Sequence, residues 1–201
     1  MVHIYVEGGG DAGSTKAACR EGFKTLFEGI PVPATSFRVV ASGGRLKAYR
    51  NFCDALQRHA GEIVLLLVDS ERPVTANASP WTHLSGSPDN WARPAGCNDD
   101  QAHLMVQMME AWFMADIDAL ARYYGQRFLR NSLPRRYNIE AIPKVQLIQA
   151  LEHASRNTTK RRYHKTQHSF TILKLIDPAK VRERSAHAER LFMLLQQKAM
   201  Q

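Results

Sequence analysis

The sequence predicts an α/β fold: a parallel sheet with helices on both faces, followed by a helical C-terminal extension. Three observations predict it. Strand-like and helix-like segments alternate β-α-β-α-β up to Glu71. The run at 63–68 (IVLLLV) is continuous, branched and apolar, as a strand buried on both faces requires. Beyond Pro143 the apolar spacing is helical throughout.

Residues 2–6 (VHIYV) read as the first strand, which ends in Glu7 and three glycines, Gly8, Gly9 and Gly10. Ser14 opens a helix with the stripe Ala17, Ala18, Phe23, Leu26 and Phe27, and Gly29 with Pro31 stops it. The second strand is 37–41 (FRVVA), followed by Ser42-Gly43-Gly44. A second helix covers 46–60, with Leu46, Tyr49, Phe52, Cys53 and Leu56 at helical spacing and Gly61 as its stop. The third strand ends in Asp69-Ser70-Glu71. Right-handed crossovers between such strands make the sheet parallel. Residues 72–101 form a long loop rich in Pro and Gly, and a loop of that length inside a compact domain is functional or mobile. Trp81 and Trp91 read as platforms for stacking on bases or, the reading preferred here, as pins that hold the loop to the body. A long helix is expected over 101–124, with Met105, Met108, Met109, Trp112 and Phe113 in its stripe and Glu110 and Asp116 inside it. In the extension, helices are expected at 144–154, at 169–176, and from Asp177-Pro178 (an N-cap, then Pro at the first helical position) to an end at 191–195. The division is therefore a core at 1–125, loop included, and an extension at 126–201 packed on it.

Composition narrows the function. The chain has 201 residues, with Lys+Arg 27 against Asp+Glu 19, a net charge of +8. Its 44% hydrophobic and 23% charged residues exclude disordered and fibrous classes. The longest apolar run, at 63–68, falls far short of the ~20 residues a membrane helix needs. Glu7 interrupts the N-terminal apolar stretch, so no secretory signal is expected. Cys19, Cys53 and Cys97 are scattered and form no CxxC pair, which points to a reducing cytoplasm. The positive charge favours a polyanionic partner, nucleic acid above all.

The candidate chemistry lies in the acidic residues. Glu7, Asp69 and Glu71 follow strand ends, and the carboxyl edge is where parallel sheets carry their working residues. Taken singly, each reads as a turn or cap residue. Together they repel unless a cation offsets the charge. A hard divalent ion takes oxygen ligands, and phosphodiester hydrolysis uses one or two such ions. The spacing Asp69-x-Glu71 puts two carboxylates on one side of an extended chain. Asp11 and Glu110 are further candidate ligands; Glu110 reads first as a charge on the solvent face of its helix, while its apolar neighbours Met109, Ala111 and Trp112 pull the reading towards burial. Lys165, if it reaches the carboxylates, would stabilise a pentavalent phosphate. Arg127, Arg130, Arg135, Arg136, Lys160, Arg161 and Arg162 are candidates for phosphate neutralisation, or a solvated surface. His164 and His168, four apart, read as exposed histidines of a basic segment rather than zinc ligands. The run Gly8-Gly9-Gly10-Asp11-Ala12-Gly13 satisfies G-x-G-x-x-G after a strand. Glu7 sits where a pyrophosphate would lie, however, and only Ser42 with Arg45 would suit a 2′-phosphate, so a dinucleotide role ranks last.

Strand-Glu7-Gly8-x-x-Asp11 followed by strand-Asp69-x-acidic resembles the Toprim domain, the metal-binding module of topoisomerases, bacterial primases and OLD-type nucleases. The resemblance covers 1–71 and extends towards Asp116. It implies a compact Rossmannoid sheet, Glu7 as general acid/base or metal-associated residue, and Asp69 with the residue two on as ligands of Mg²⁺ (or Mn²⁺). The chain departs from the pattern at Glu71, where the family usually has Asp. The segment 109–116 (MEAWFMAD) and Tyr163-His164-Lys165 resemble a bacterial, phage-defence-associated family of Toprim-like proteins, often encoded beside ABC- or OLD-type ATPases. The expectation is a Mg²⁺-dependent nuclease acting on DNA or RNA with an ATPase partner, homo-oligomeric or not. The alternative is a non-catalytic Toprim-like module that binds nucleic acid or protein.

Overall fold

The computed structural model describes residues 1–199. Four short apolar segments pair in parallel: β1 (Val2–Val6), β2 (Phe37–Ala41), β3 (Ile63–Asp69) and β4 (Ala102–Met105), in the order β2-β1-β3-β4. The helices α1 (Gly13–Glu28) and α2 (Arg45–Arg58) make the first two crossovers. Side chains alternate across the pleat. Ile4, Val6, Leu65 and Leu67 pack with Phe23 and Phe27 of α1 on one face. Tyr5, Val64, Leu66 and Val68 pack with Ala48 and Phe52 of α2, and with Trp81 and Leu84 of α3 (Pro80–Leu84), on the other. The chain thus leaves β1 towards one face and β3 towards the opposite face. Between neighbouring strands that arrangement opens a crevice at their carboxyl ends. The fold is α/β with a helical C-terminal part, as the alternation predicts.

The stretch 101–124 is not one helix. It holds β4, a 3₁₀ helix at Met109–Ala115, and α4 (Ile117–Tyr124). Ala102–Met105 is fully buried and extends the sheet beside β3, with Leu66 opposite Ala102 and Asp69 opposite Met105. A short continuous apolar run fits strand and buried helix equally, and here ladder hydrogen bonds decide. Asp116 then caps α4, its Oδ1 accepting the Ala119 N–H at 3.3 Å.

The Pro-rich segment is anchored by its tryptophans. The Trp81 indole donates to the Asn98 carbonyl at 2.9 Å, and Trp91 stacks on Tyr49 at 4.5 Å. Beyond it come α5 (Lys144–Ser155), α6 (Lys165–Leu173), α7 (Pro178–Arg184) and α8 (Ala186–Ala199). The helix expected at 169–176 begins at Lys165 instead, and the one expected from Asp177 is two. Ser185 separates them, its hydroxyl accepting the Ala188 N–H at 3.1 Å in the manner of an N-cap. These helices share the core of the first sheet face: Phe192 lies 6.1 Å from both Phe27 and Trp112. α6 lies close against α1, where a side chain on Gly22 would meet the Phe170 carbonyl. That packing carries Lys165, the first residue of α6, to the carboxyl edge of the sheet. Among the described residues, no helix is long and apolar enough to cross a membrane.

Candidate functional site

Adjacent strands β1 and β3 deliver Glu7 and Asp69 to the same place. Glu7 Oε2 accepts the Asp69 backbone N–H at 3.1 Å. Asp69 Oδ1 accepts the Met109 N–H at 2.7 Å, which ties the 3₁₀ helix to the strand end. Glu7, Asp69 and Glu71 each offer an oxygen, all within 4.8 Å of one another. Glu71 reaches this cluster by a route the extended-chain argument does not describe. Its φ is +63°, a left-handed conformation unfavourable for a side-chain-bearing residue. The Glu71 N–H donates to the Gln107 carbonyl at 2.9 Å, and its carboxylate pairs with Lys144, which together hold the turn.

Glu110 joins from the 3₁₀ helix and is wholly buried. Tyr163 donates its hydroxyl to Glu110 Oε1 at 2.8 Å, while Oε2 has no hydrogen-bond partner among the described residues. Lys165 Nζ lies between the two buried acids, 3.6 Å from Asp69 Oδ2 and 3.7 Å from Glu110 Oε1, and its side chain is 51% exposed. Arg45, the first residue of α2, reaches Glu7 Oε2 at 3.1 Å and also the Asp69 carbonyl. Its other nitrogens grip Asp89 in a two-pronged contact at 2.7 Å each, and its guanidinium sits 5.0 Å from the Trp91 ring. One side chain therefore locks the Pro-rich loop to the carboxylates.

Burial dominates the electrostatics. Asp69, 2% exposed, is pushed up to about 7 by burial; the attraction of Lys165 opposes this, and Glu7 and Glu110 add to it. Burial also raises Glu7, against the pull of Arg45. Burial works against the charge of Lys165, but Asp69, Glu110, Glu7 and Glu71 outweigh it and raise its pKa, so the ammonium stays protonated.

Glu7, Asp69 and Lys165 line a cleft of about 250 Å³ whose walls include Phe170 and the glycine turns after β1 and β2; Glu71, Glu110 and Arg45 stand behind them and do not line it. Gly8 and Gly43 exchange backbone hydrogen bonds at 2.8 and 2.9 Å, joining those turns. Gly43 has φ +86°, and a Cβ there would lie 2.7 Å from the Gly10 carbonyl. An all-oxygen donor set beside a basic side chain fits a hard cation such as Mg²⁺ or Mn²⁺ and disfavours softer metals.

Not every expected residue arrives. The Asp11 side chain is 91% exposed and faces Lys47 at 3.8 Å, because the three glycines carry the chain away from the strand end before it. None of the seven candidate phosphate-binding residues lines the cleft, among the described residues. Arg130 pairs with Asp118, Arg135 donates to Asn131 at 2.7 Å, and Arg162 faces Glu152 at 3.7 Å. Lys160 lies over the Tyr123 ring at 4.8 Å, while Arg127, Arg136 and Arg161 are exposed. His168 is not exposed as expected. Its Nδ1 accepts the His164 N–H at 3.2 Å and lies 3.1 Å from the Tyr124 hydroxyl, inside the core. Arg45 is engaged by carboxylates, not free for a 2′-phosphate. Its place here, and those of Asp89 and Lys144, escaped the sequence reading. One signal was available for Arg45: a cation in the first turn of a helix opposes the helix dipole and needs another partner.

A family model described as "Domain of unknown function (DUF4276)" matches residues 6–196. The chain belongs to that family. No curated protein and no solved structure matches it. The DUF4276 match takes in Glu7, Arg45, Asp69, Glu71, Glu110, Tyr163 and Lys165, so the whole cluster falls inside the family's domain.

Proposed function

We propose that this chain is a Toprim-like, Mg²⁺-dependent (or Mn²⁺-dependent) nuclease that hydrolyses phosphodiester bonds of DNA or RNA. The observation that carries the reading is the convergence of three carboxylate oxygens, of Glu7, Asp69 and Glu71, within 4.8 Å at the carboxyl edge, with Glu7 and Asp69 lining a cleft there. Glu7, Asp69 and Glu71 would hold the ion, which supplies Lewis-acid stabilisation of a phosphoryl oxygen. Glu7, whose pKa burial raises against the pull of Arg45, is the candidate general acid/base. Lys165 is half-exposed at the cleft and can turn its ammonium from Asp69 towards a phosphate oxygen. Glu110 and Tyr163 position Lys165 from behind. In keeping with the resemblance, we assign the protein to a cytoplasmic defence system with an ABC- or OLD-type ATPase partner. The basic residues at 127–136 and 160–162 would then meet nucleic acid outside the cleft.

One observation favours the non-catalytic alternative. Each cluster carboxylate already has a cation of the chain beside it: Arg45 at Glu7, Lys165 at Asp69 and Lys144 at Glu71. Cleavage of linear DNA and of tRNA with Mg²⁺ or Mn²⁺ decides between the two. Wild type should cut, and Glu7→Gln and Asp69→Asn should each lower the rate at least ~100-fold, as loss of one preorganised charged group does. Metal-dependent cutting that survives both substitutions overturns the assignment. Absence of both cutting and Mg²⁺-induced thermal stabilisation at millimolar metal selects the binding module.

A further inference from the structure

We propose that His3, His59 and Glu62 form a second metal site, for a borderline divalent ion such as Zn²⁺, at the amino-terminal edge of the sheet. His3 lies on β1, His59 closes α2, and Glu62 immediately precedes β3. Glu7 and Asp69 occupy the other ends of the same two strands, so the two clusters are separate.

The fold brings three donors of a coordination shell to one place. His3 Nε2 and His59 Nδ1 point at one atom, Glu62 Oε2, at 2.9 and 3.0 Å. The two imidazoles stack with centroids 3.9 Å apart and planes 24° apart, which keeps His59 beside His3. All three donor atoms lie within 4.8 Å of one another. Tetrahedral zinc, with bonds of about 2.0–2.1 Å, holds its ligand atoms roughly 3.3 Å apart, so an ion enters once the donors draw together and the His59 ring turns out of its stack on His3 to aim both lone pairs at it. The ion needs lone pairs on His3 Nε2 and His59 Nδ1, which places the ring protons on the opposite nitrogens.

The backbone holds the donors in place. The Glu62 N–H donates to the His59 carbonyl at 2.9 Å in a tight turn, and ladder pairing sets His3 opposite Val64. His3 is buried, His59 half-buried and Glu62 open to solvent, which leaves an entry path. Two imidazoles and one carboxylate are a donor set for zinc, whereas the all-oxygen cluster suits Mg²⁺. A hollow of about 380 Å³, lined by His3, His59, Arg38, Arg58 and Asn51, adjoins the site. It has room for a fourth ligand. The two arginines there oppose a cation and favour an anionic fourth ligand that offsets its charge.

The test is Zn²⁺ titration of the full chain by calorimetry, with visible absorption of Co²⁺ as a second readout of tetrahedral coordination. Wild type, His59→Ala, Glu62→Gln and Asp69→Asn are compared. One ion should bind, at least about tenfold more weakly in His59→Ala and Glu62→Gln, and with unchanged affinity in Asp69→Asn. His59 and Glu62 both reach solvent, and a single variant that folds by circular dichroism suffices for the comparison. Absence of micromolar Zn²⁺ binding in wild type overturns the site and leaves an ordinary histidine–carboxylate contact. So does binding that persists unweakened in the folded variants, or that disappears in Asp69→Asn.

Discussion

Asp69→Asn should uncouple the stability of the metal-free protein from pH. Asp69 is buried at 2% exposure and its carboxyl is pushed from an ordinary 3.8 up to about 7. Unfolded, it loses its proton near pH 4; folded, it keeps the proton to about pH 7. In that window the folded state binds more protons, so stability falls as pH rises. The contribution is complete below the unfolded value and gone once pH passes through about 7. A shift of about 3 units at 1.36 kcal/mol per unit amounts to roughly 4 kcal/mol in all, of which about 2–3 kcal/mol falls between pH 5 and pH 8. Asparagine carries no charge at any pH and keeps an oxygen for the Met109 N–H. Glu7 is raised too, and contributes the same sign in both proteins. The assay is urea denaturation from pH 5 to pH 8 with a chelator present. Wild type should lose about 2–3 kcal/mol more than Asp69→Asn over that range. At pH 8, Mg²⁺ at ten times its Kd should return about 1.4 kcal/mol to wild type and nothing to the variant. Parallel pH profiles for the two proteins would refute the claim that burial of this carboxyl governs the site.

Further outcomes follow from single contacts. Tyr163→Phe removes the hydroxyl that donates to Glu110, whose second oxygen has no partner among the described residues, and should cost about 1–3 kcal/mol in urea denaturation. An unchanged midpoint would show that Glu110 does not depend on that bond. Gly43→Ala forces a methyl to within 2.7 Å of the Gly10 carbonyl at a positive φ. It should lower stability by more than about 1 kcal/mol, read as a fall in the thermal midpoint. Arg45→Lys keeps the charge but not the fork that grips Asp89 while reaching Glu7. A loss of about 1–2 kcal/mol, with earlier proteolysis in the loop around Asp89, is expected; wild-type behaviour would show that charge alone suffices there.

The first three strands and two helices were readable to within two residues, because uninterrupted apolar runs and Gly or Pro stops mark them without help from the rest of the chain. β4 was not readable. Ala102–Met105 is four residues long and continues into the Met- and Trp-rich segment, so no change of period announces it. It becomes a strand because β3 offers an unpaired edge. For the two tryptophans of the Pro-rich segment the sequence left base stacking and anchoring both open, because a large ring in a loop suits either; the Trp81–Asn98 hydrogen bond and the Trp91–Tyr49 stack are anchoring contacts. His168 was misjudged for the opposite reason: its basic neighbours hid an inward-facing helix position.

Chain order and hydropathy were enough to establish the α/β class, the direction of the sheet and the edge on which Glu7, Asp69 and Glu71 lie, because short-range periodicity and crossover handedness act within a few dozen residues. They could not say that Glu71 turns back through a left-handed residue, that Asp11 swings away, or that Arg45, Lys144, Tyr163 and Lys165 close around the acids. Those contacts join residues far apart in the chain. Their energy exists only once the helices have docked and water has been removed, and no local pattern encodes the distance between two charges on separate elements.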